Sequence, residues 1–276
     1  MPLLVCATPI GNLEDVTLRV LAALREADAV LCEDTRRTRV LLDRYGIRAR
    51  RLVSVHAHNE ARRVTELLPL LQAGETHALV SDAGLPGVND PGSRLVEAAL
   101  DAGVEVTVLP GPSAVETALV VSGLGAAQYR FLGYLPRRDP ELDALWHEAG
   151  AWPYAAVAFE SPRRLPRSLA RLARIEPDRR VAVCRELTKL HEEVARGTAS
   201  ELVERFGAGP VKGEVTIVVS AAGARAPELD PAAAAVEELV RAGAARRAAV
   251  DVVSRLARVP RNALYRGSLS GPSSPD

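Results

Sequence analysis

Residues 3–12 read Leu3-Leu4-Val5-Cys6-Ala7-Thr8-Pro9-Ile10-Gly11-Asn12, a short apolar run that stops at a proline- and glycine-rich turn. The device recurs twice. Ala78-Leu79-Val80 runs into Ser81-Asp82-Ala83-Gly84-Leu85-Pro86-Gly87, followed by Asn89-Asp90-Pro91-Gly92. Residues 104–109 run into Pro110-Gly111-Pro112-Ser113-Ala114. Apolar run, sharp turn and helical pattern are the signature of a parallel α/β sheet, where ligands bind outside the carboxyl ends of the strands. Glycine lets the backbone approach a ligand closely. Proline fixes the turn and removes a donor. One such turn alone reads as an ordinary strand-to-helix connection. Three, with Asp82 and Ser113 set in them, point to a ligand site.

Working outward, five strand-like runs occupy 3–7, 28–32, 52–55, 78–81 and 104–109. Val16, Val20, Leu24 and Ala27 fall on one helical stripe, and Val64, Leu67, Leu68 and Leu71 on another. Asp15 is placed to cap the first helix and Gly74 to end the second. Alternating strands and helices predict a parallel sheet with right-handed crossovers. This N-terminal α/β domain is expected over 1–125, with a break at Ser122-Gly123-Leu124-Gly125.

A second α/β domain is expected over 126–222. Its strand-like runs are 129–132, 154–159, 181–184 and 215–219, with a helix stripe of Leu165, Leu169 and Leu172. Residues 221–227 read as a linker. The tail, 228–276, predicts helices over 231–241 and 246–257, and a third opening near Pro260. Two readings of the tail stay open: a helix-turn-helix unit and a helical cap on the second domain. Residues 268–276 are expected to be disordered.

The chain has 276 residues, enough for one large or two medium domains. Aromatic content is only 4%, so the core must be built from Ala, Val and Leu and need not hold base-stacking platforms. A formal net charge of zero argues against a non-selective nucleic-acid coat but leaves room for basic patches. Cys6, Cys32 and Cys184 form no CxxC pair, which disfavours a zinc ribbon or a disulfide framework. A reducing cytoplasm fits. No apolar run approaches about 18 residues and no basic leader precedes one, so neither membrane span nor signal peptide is expected. A Walker-type NTPase and a zinc hydrolase are disfavoured, because their motifs are missing.

Ten segments occur in a fixed order. Ala7-Thr8-Pro9-Ile10-Gly11-Asn12-Leu13-Glu14-Asp15, Glu33-Asp34-Thr35-Arg36, His56-Ala57-His58-Asn59-Glu60, Ser81-Asp82-Ala83-Gly84, Asp90-Pro91-Gly92 and Pro110-Gly111-Pro112-Ser113-Ala114 come first. Phe131-Leu132-Gly133-Tyr134-Leu135-Pro136, Glu160-Ser161-Pro162, Arg185-Glu186-Leu187-Thr188-Lys189 and Lys212-Gly213-Glu214 follow. Together they closely resemble the rRNA 2′-O-methyltransferases of the tetrapyrrole methylase superfamily, the class III methyltransferases. The likeness covers about 1–222, and the tail resembles the helix-turn-helix extension of those enzymes.

The resemblance implies two α/β domains with S-adenosylmethionine in the cleft between them, and a homodimer. It implies methylation of the 2′-hydroxyl of a cytidine in the decoding region of 16S rRNA, in the small ribosomal subunit. No metal is implied. Carried onto this chain, the cofactor residues are Pro9, Asp82, Gly84, Leu85, Ser113 and Ala114, with Phe159, Leu187, Gly213 and Val215 from the second domain. Three positions depart from the family pattern. Leu85 stands where Thr is usual, Arg163 where His is common, and Tyr134 in place of Phe. Of these, only Leu85 is expected to touch a ligand.

Methyl transfer from a sulfonium is an in-line displacement, so the acceptor oxygen must be held behind the methyl carbon. A ribose hydroxyl is a poor nucleophile and profits from a general base. Glu33, Asp34, His56, His58 and Glu60 are the candidates, all at or after strand ends on the rim of the turns. Glu33 and Asp34 are chain neighbours, so at most one faces the cleft. Asp34 and Thr35 read equally as N-caps of a 36–45 helix, and the histidines equally as surface loop residues. A buried or neighbour-raised carboxylate is the better base. Lys189 is placed to orient a phosphate or the acceptor, or is a solvated loop lysine.

RNA binding needs cations. Residues 36–63 hold nine arginines against Asp43 and Glu60, a local net charge of +7. Residues 241–266 hold seven arginines against Asp251, a net +6. Either run serves as a phosphate track or as a solvated helix face, and Arg163 and Arg164 are placed to extend the track. Two further function classes compete: a methyltransferase of a tetrapyrrole or other small acceptor, and a non-enzymatic ribosome- or nucleotide-binding module. The basic tail favours RNA. Intact Glu33, Asp34 and Asp82 favour an enzyme.

Overall fold

The computed structural model describes residues 2–87, 90–125, 127–223, 229–257 and 259–268. Asn89, residues 224–227 of the expected linker, Arg258 and residues 269–276 lie outside the described residues. Strands β1 (Leu3–Cys6), β2 (Ala29–Cys32), β3 (Leu52–Ser54), β4 (His77–Val80) and β5 (Val106–Leu109) form an all-parallel sheet in the order β3-β2-β4-β1-β5. Helices α1 (Leu18–Glu26), α2 (Thr35–Arg44), α3 (Glu60–Gln72) and α4 (Ser93–Asp101) make the crossovers. Successive strand side chains point to opposite faces. Cys6, Val30, Cys32, Ala78 and Val80 pack with α1 and α2, while Leu3, Val5, Leu31 and Leu79 pack with α3 and α4. Burial on both faces explains why these strands read as unbroken apolar runs.

Capping departs from expectation at one end. Asp15 closes a 3-10 turn over Leu13–Asp15, and Thr17 caps α1 by accepting the Val20 N–H at 3.2 Å. Val16 is extended, so the chain must turn once more before the helix begins. Gly74 follows α3 as expected.

The second sheet contains β6 (Tyr129–Tyr134), β7 (Ala155–Glu160), β8 (Arg180–Arg185), β9 (Glu193–Thr198) and β10 (Val215–Val219) in the order β6-β7-β10-β8-β9. Only β6 and β7 run parallel; every other pair is antiparallel. Strand β9 was not expected. Its sequence, Glu193-Val194-Ala195-Arg196-Gly197-Thr198, lies on a sheet edge and buries only Ala195. One face of this sheet packs on α6 (Asp139–Ala149), α7 (Leu165–Ile175) and α8 (Ala199–Gly207). Helix α5 (Ala114–Ser122), arriving from the first sheet, covers the other with Val115, Ala118 and Leu119 against Ala155, Val157, Ala182, Cys184 and Val218.

The tail folds as α9 (Leu229–Arg241), α10 (Arg246–Ala257) and α11 (Arg261–Gly267). Its core of Val236, Ala249, Val250, Val253, Val259 and Leu264 is drawn from the tail alone, which favours a separate helical unit over a cap. No described helix is long and apolar enough to cross a membrane.

Buried Glu60 is a strut in the first domain, not a base. Its carboxylate accepts the N–H groups of Gly92 at 2.9 Å and Arg94 at 3.0 Å. Gly92 is the N-cap of α4 and has no side chain of its own to serve those donors. Glu60→Ala leaves them buried and unpaired, and urea unfolding should show a loss of about 1–3 kcal/mol. A variant as stable as the parent removes the strut.

Candidate active site

Because β1, β2, β4 and β5 are parallel, the turns after them share one rim. The turns are bonded to one another. Thr8 and Gly84 exchange backbone bonds at 2.8 and 3.0 Å, and the Ser81 hydroxyl donates to the Gly84 carbonyl at 3.1 Å. Asp82 Oδ1 accepts the Asp34 N–H at 3.0 Å, and Asp82 Oδ2 pairs with Arg37 at 3.5 Å. This rim faces the second sheet across a cleft of about 850 Å3. That volume lies in the usual range for small-molecule sites.

The cleft gathers most of the expected cofactor residues. Asp82, Gly84, Leu85, Ser113 and Ala114 line it from the first domain, and Phe159, Leu187, Gly213 and Val215 from the second. Pro9 does not line it. It is buried, and its neighbour Ile10 takes the lining position. The Ser113 hydroxyl donates to Glu116, which also accepts the Tyr129 hydroxyl at 2.5 Å.

The expected catalytic residues separate. Glu33 lines the cleft. Burial, and then the nearby Asp82 charge, push its pKa up. Asp34 does not line it. Its carboxylate caps α2 by accepting the Arg36 N–H at 2.8 Å, so its lone pairs serve the helix. His58 is exposed and outside the cleft lining, its ring 6.1 Å from that of His56. The His56 N–H donates to Asn59 Oδ1 at 2.9 Å, which keeps that residue in the loop structure. Lys189 is also outside the lining. Its ammonium is satisfied by Glu186 at 2.9 Å and Glu214 at 3.1 Å.

That lysine belongs to the joint between the domains. A Cβ on Gly11 would stand 2.5 Å from Lys189 Cγ, 2.7 Å from Thr188 Oγ1 and 2.8 Å from the Leu187 carbonyl oxygen. Only glycine lets the first turn approach the 186–189 loop so closely. The Asn12 N–H then donates to Thr188 Oγ1 at 2.9 Å.

Asp90, Glu160 and Glu214, which carry no expected role, also line the cleft. Their signal was present in the Asp-Pro-Gly, Glu-Ser-Pro and Lys-Gly-Glu motifs. Tyr134 lines it as well, although its departure from the family pattern was not expected to touch a ligand. The basic run after Arg36 is largely spent on local carboxylates. Arg44 pairs with Glu14, Arg50 with Asp28, Arg51 with Glu75, and Arg62 and Arg63 with Glu66. Among the described residues, Arg36, Arg39 and Arg48 of that run are exposed and make no salt bridge. Arg164 likewise pairs with the buried Glu160 at 2.5 Å rather than extending a track.

The tetrapyrrole (corrin/porphyrin) methylases match this chain over residues 2–203. This chain belongs to the tetrapyrrole methylase family. Among its relatives in that family, the ribosomal RNA small subunit methyltransferase I of Thermotoga maritima is 46% identical over 79% of this chain and 97% of its own. The protein of that name from Mycobacterium tuberculosis is 49% identical over 87% of this chain and 85% of its own. The methylase fold is shared with the uroporphyrin-III C-methyltransferase of Thermus thermophilus, solved in complex with S-adenyl homocysteine. That structure superposes with a TM-score of 0.57 at 19% identity, over 80% of this chain and 97% of the other.

Three carboxylates, Glu33, Asp82 and Asp90, crowd the first-domain side of the methylase cleft. Burial, then Glu33 and Asp82, raise the Asp90 pKa from 3.8 to about 6. The folded protein therefore binds a proton more tightly there than the unfolded chain does. The stability this group contributes is present in full below its unfolded pKa and is lost as pH rises through about 6. Asp90→Asn should therefore raise the unfolding free energy at about pH 8 and leave it unchanged at about pH 4. Discounted for partial exposure, the gain is roughly 1 kcal/mol. Equal effects at both pH values in urea titrations would refute the assignment.

Proposed function

We propose that this protein transfers the methyl group of S-adenosylmethionine to the 2′-hydroxyl of a cytidine in 16S rRNA of the small ribosomal subunit. The observation that carries the substrate class is the 46–49% identity to relatives named for ribosomal RNA small subunit methylation. The nucleoside and the 2′-position rest on the family resemblance, as do a homodimer and a cytoplasmic location.

The cleft fits the cofactor by its chemistry. Backbone of the Asp82–Leu85 and Pro110–Ala114 turns offers polar groups at close approach. Ile10, Leu85, Phe159, Leu187 and Val215 offer apolar surface. Bound there, S-adenosylmethionine supplies an electrophilic methyl group on a sulfonium. Asp82, Gly84, Ser113, Ala114, Gly213 and Val215 are the residues that hold it. Glu33 takes the proton of the acceptor hydroxyl. Its raised pKa brings it closer to neutral pH, where a general base works best. Arg37, paired to Asp82, stands beside it and keeps that carboxylate compensated.

Incubation with labelled cofactor and either small subunits, 16S rRNA or tetrapyrrole precursors should place the label in rRNA. Label in a tetrapyrrole overturns the reading. Glu33→Gln should lower single-turnover rates by about 10²–10⁴-fold. Cofactor affinity by calorimetry should hold within a few-fold. An unchanged rate removes Glu33 from the mechanism.

The tail serves this reading as an RNA-docking arm. Arg246 pairs with Glu237 and Arg261 with Asp251, while Arg241, Arg247 and Arg255 are exposed and make no salt bridge among the described residues. Replacing these three by Ala should lower the slope of log affinity for RNA against log salt by about 2–3, with melting temperature unchanged. An unchanged slope limits the tail to a packing role.

A further inference from the structure

Two of the chain's three phenylalanines and one of its five tyrosines are set in a row along the second-domain wall of the cleft. Phe131 meets Phe159 edge-on, ring centroids 5.1 Å apart, and Phe159 meets Tyr134 edge-on at 5.6 Å. The row runs outward. Phe131 and Phe159 are partly buried against the domain joint, whereas Tyr134 is 63% exposed. A regular strand would send residues 131 and 134 to opposite faces. Strand β6 does not stay regular. Its register against β7 shifts between Phe131 and Tyr134, and Gly133 between them has φ +66°. The bulge turns Tyr134 back to the side of Phe131, so both rings reach Phe159. Bulges beside active sites commonly re-aim a side chain in this way.

The surroundings select what this ring can receive. Asp90 and Glu33 belong to the opposite wall, and Glu160 and Glu214 to the same wall; all four lie near enough to the hydroxyl to act on it electrostatically. After burial, these charges are what raise the Tyr134 pKa, so the side chain stays a neutral phenol. A phosphate is repelled from such a place. A flat, uncharged ring is not. Arg36 and Arg39, exposed and without a salt bridge among the described residues, lie on α2, which starts just after Glu33.

We propose that Tyr134 is the stacking platform for the base of the acceptor nucleotide, and so a specificity-determining residue of the methyl transfer. The inference rests on the RNA reading of the cleft. Stacking on an aromatic side chain contributes about 1–3 kcal/mol per base, which corresponds to roughly a 5- to 150-fold change in binding.

The test compares the full-length parent with Tyr134→Ala and Tyr134→Phe, using small subunits or 16S rRNA as acceptor and calorimetry for S-adenosylmethionine. Tyr134→Ala should raise the KM for RNA by about tenfold, within the stacking range above, with a smaller change in kcat and cofactor affinity within about twofold. Tyr134→Phe, which keeps the ring, should recover most of the loss. An unchanged KM in Tyr134→Ala overturns the platform. So does a parallel loss of cofactor affinity, which would put the ring on the cofactor's adenine. Failure of Tyr134→Phe to recover KM overturns stacking in favour of the hydroxyl. A parent that transfers nothing to rRNA overturns the RNA reading and the platform with it, whereas failures confined to the variants leave that reading standing.

Discussion

The cleft exists because a helix that starts on the rim of one sheet packs on the other. Helix α5 leaves the rim of the first sheet and buries Val115, Ala118 and Leu119 on the second. Ile10 and Leu187 join the same apolar cluster from the two turns that flank the joint. Apolar burial of this kind has no direction of its own. Direction comes from the Gly11 turn seated on the 186–189 loop and from the Asn12 to Thr188 bond. Glu186 and Thr188 hold positive φ in that loop, at 50° and 65°, which the packing around them must sustain. The same loop carries Glu186 and Lys189, whose charges fasten Glu214 and therefore the Gly213–Val215 wall. Alignment of the two cleft walls thus depends on a small set of contacts at the domain joint.

Charge in this protein is organised by pairing more than by sign. A neutral chain with two basic runs reads as a protein with two basic patches. In the fold, six of the nine arginines of the first run pair with carboxylates, and four of those carboxylates, Glu14, Asp28, Glu75 and Asp82, come from distant elements. What stays unpaired is sparse. Exposed ion pairs contribute little to stability individually. Their consequence here is to narrow the surface that can attract phosphate. The cleft shows the opposite arrangement. Glu33, Asp82 and Asp90 sit together with Arg37 beside them, and burial together with the charges of Glu33 and Asp82 drives Asp90 up. A site that repels phosphate inside and leaves cations outside suits an acceptor whose sugar and base enter while its backbone stays at the mouth.

Much of this was legible in the sequence, for a physical reason. Turns after parallel strands must be sharp, so proline and glycine mark them, and strands buried on both faces must be apolar throughout. Local chemistry therefore determined nine of the ten strands and the parallel first sheet, whereas the family resemblance supplied the ten expected cofactor positions, nine of which line the cleft. The edge strand β9 escaped because an edge need bury only one residue, and its other side chains are free to be polar. Tertiary structure alone decided what the acidic and basic side chains do. Glu33 and Asp34 are adjacent and chemically alike, yet one faces the cleft and the other caps a helix. Glu60 and Lys189 were attractive on chemistry and are consumed by structural partners 32 and 25 positions away in the chain. Tyr134 reads as a minor substitution until the bulge at Gly133 turns it into the cleft. Hydrophobic periodicity is a local property, so the sequence carries it openly. Pairing and aim are long-range properties, and they appear only once the chain has closed.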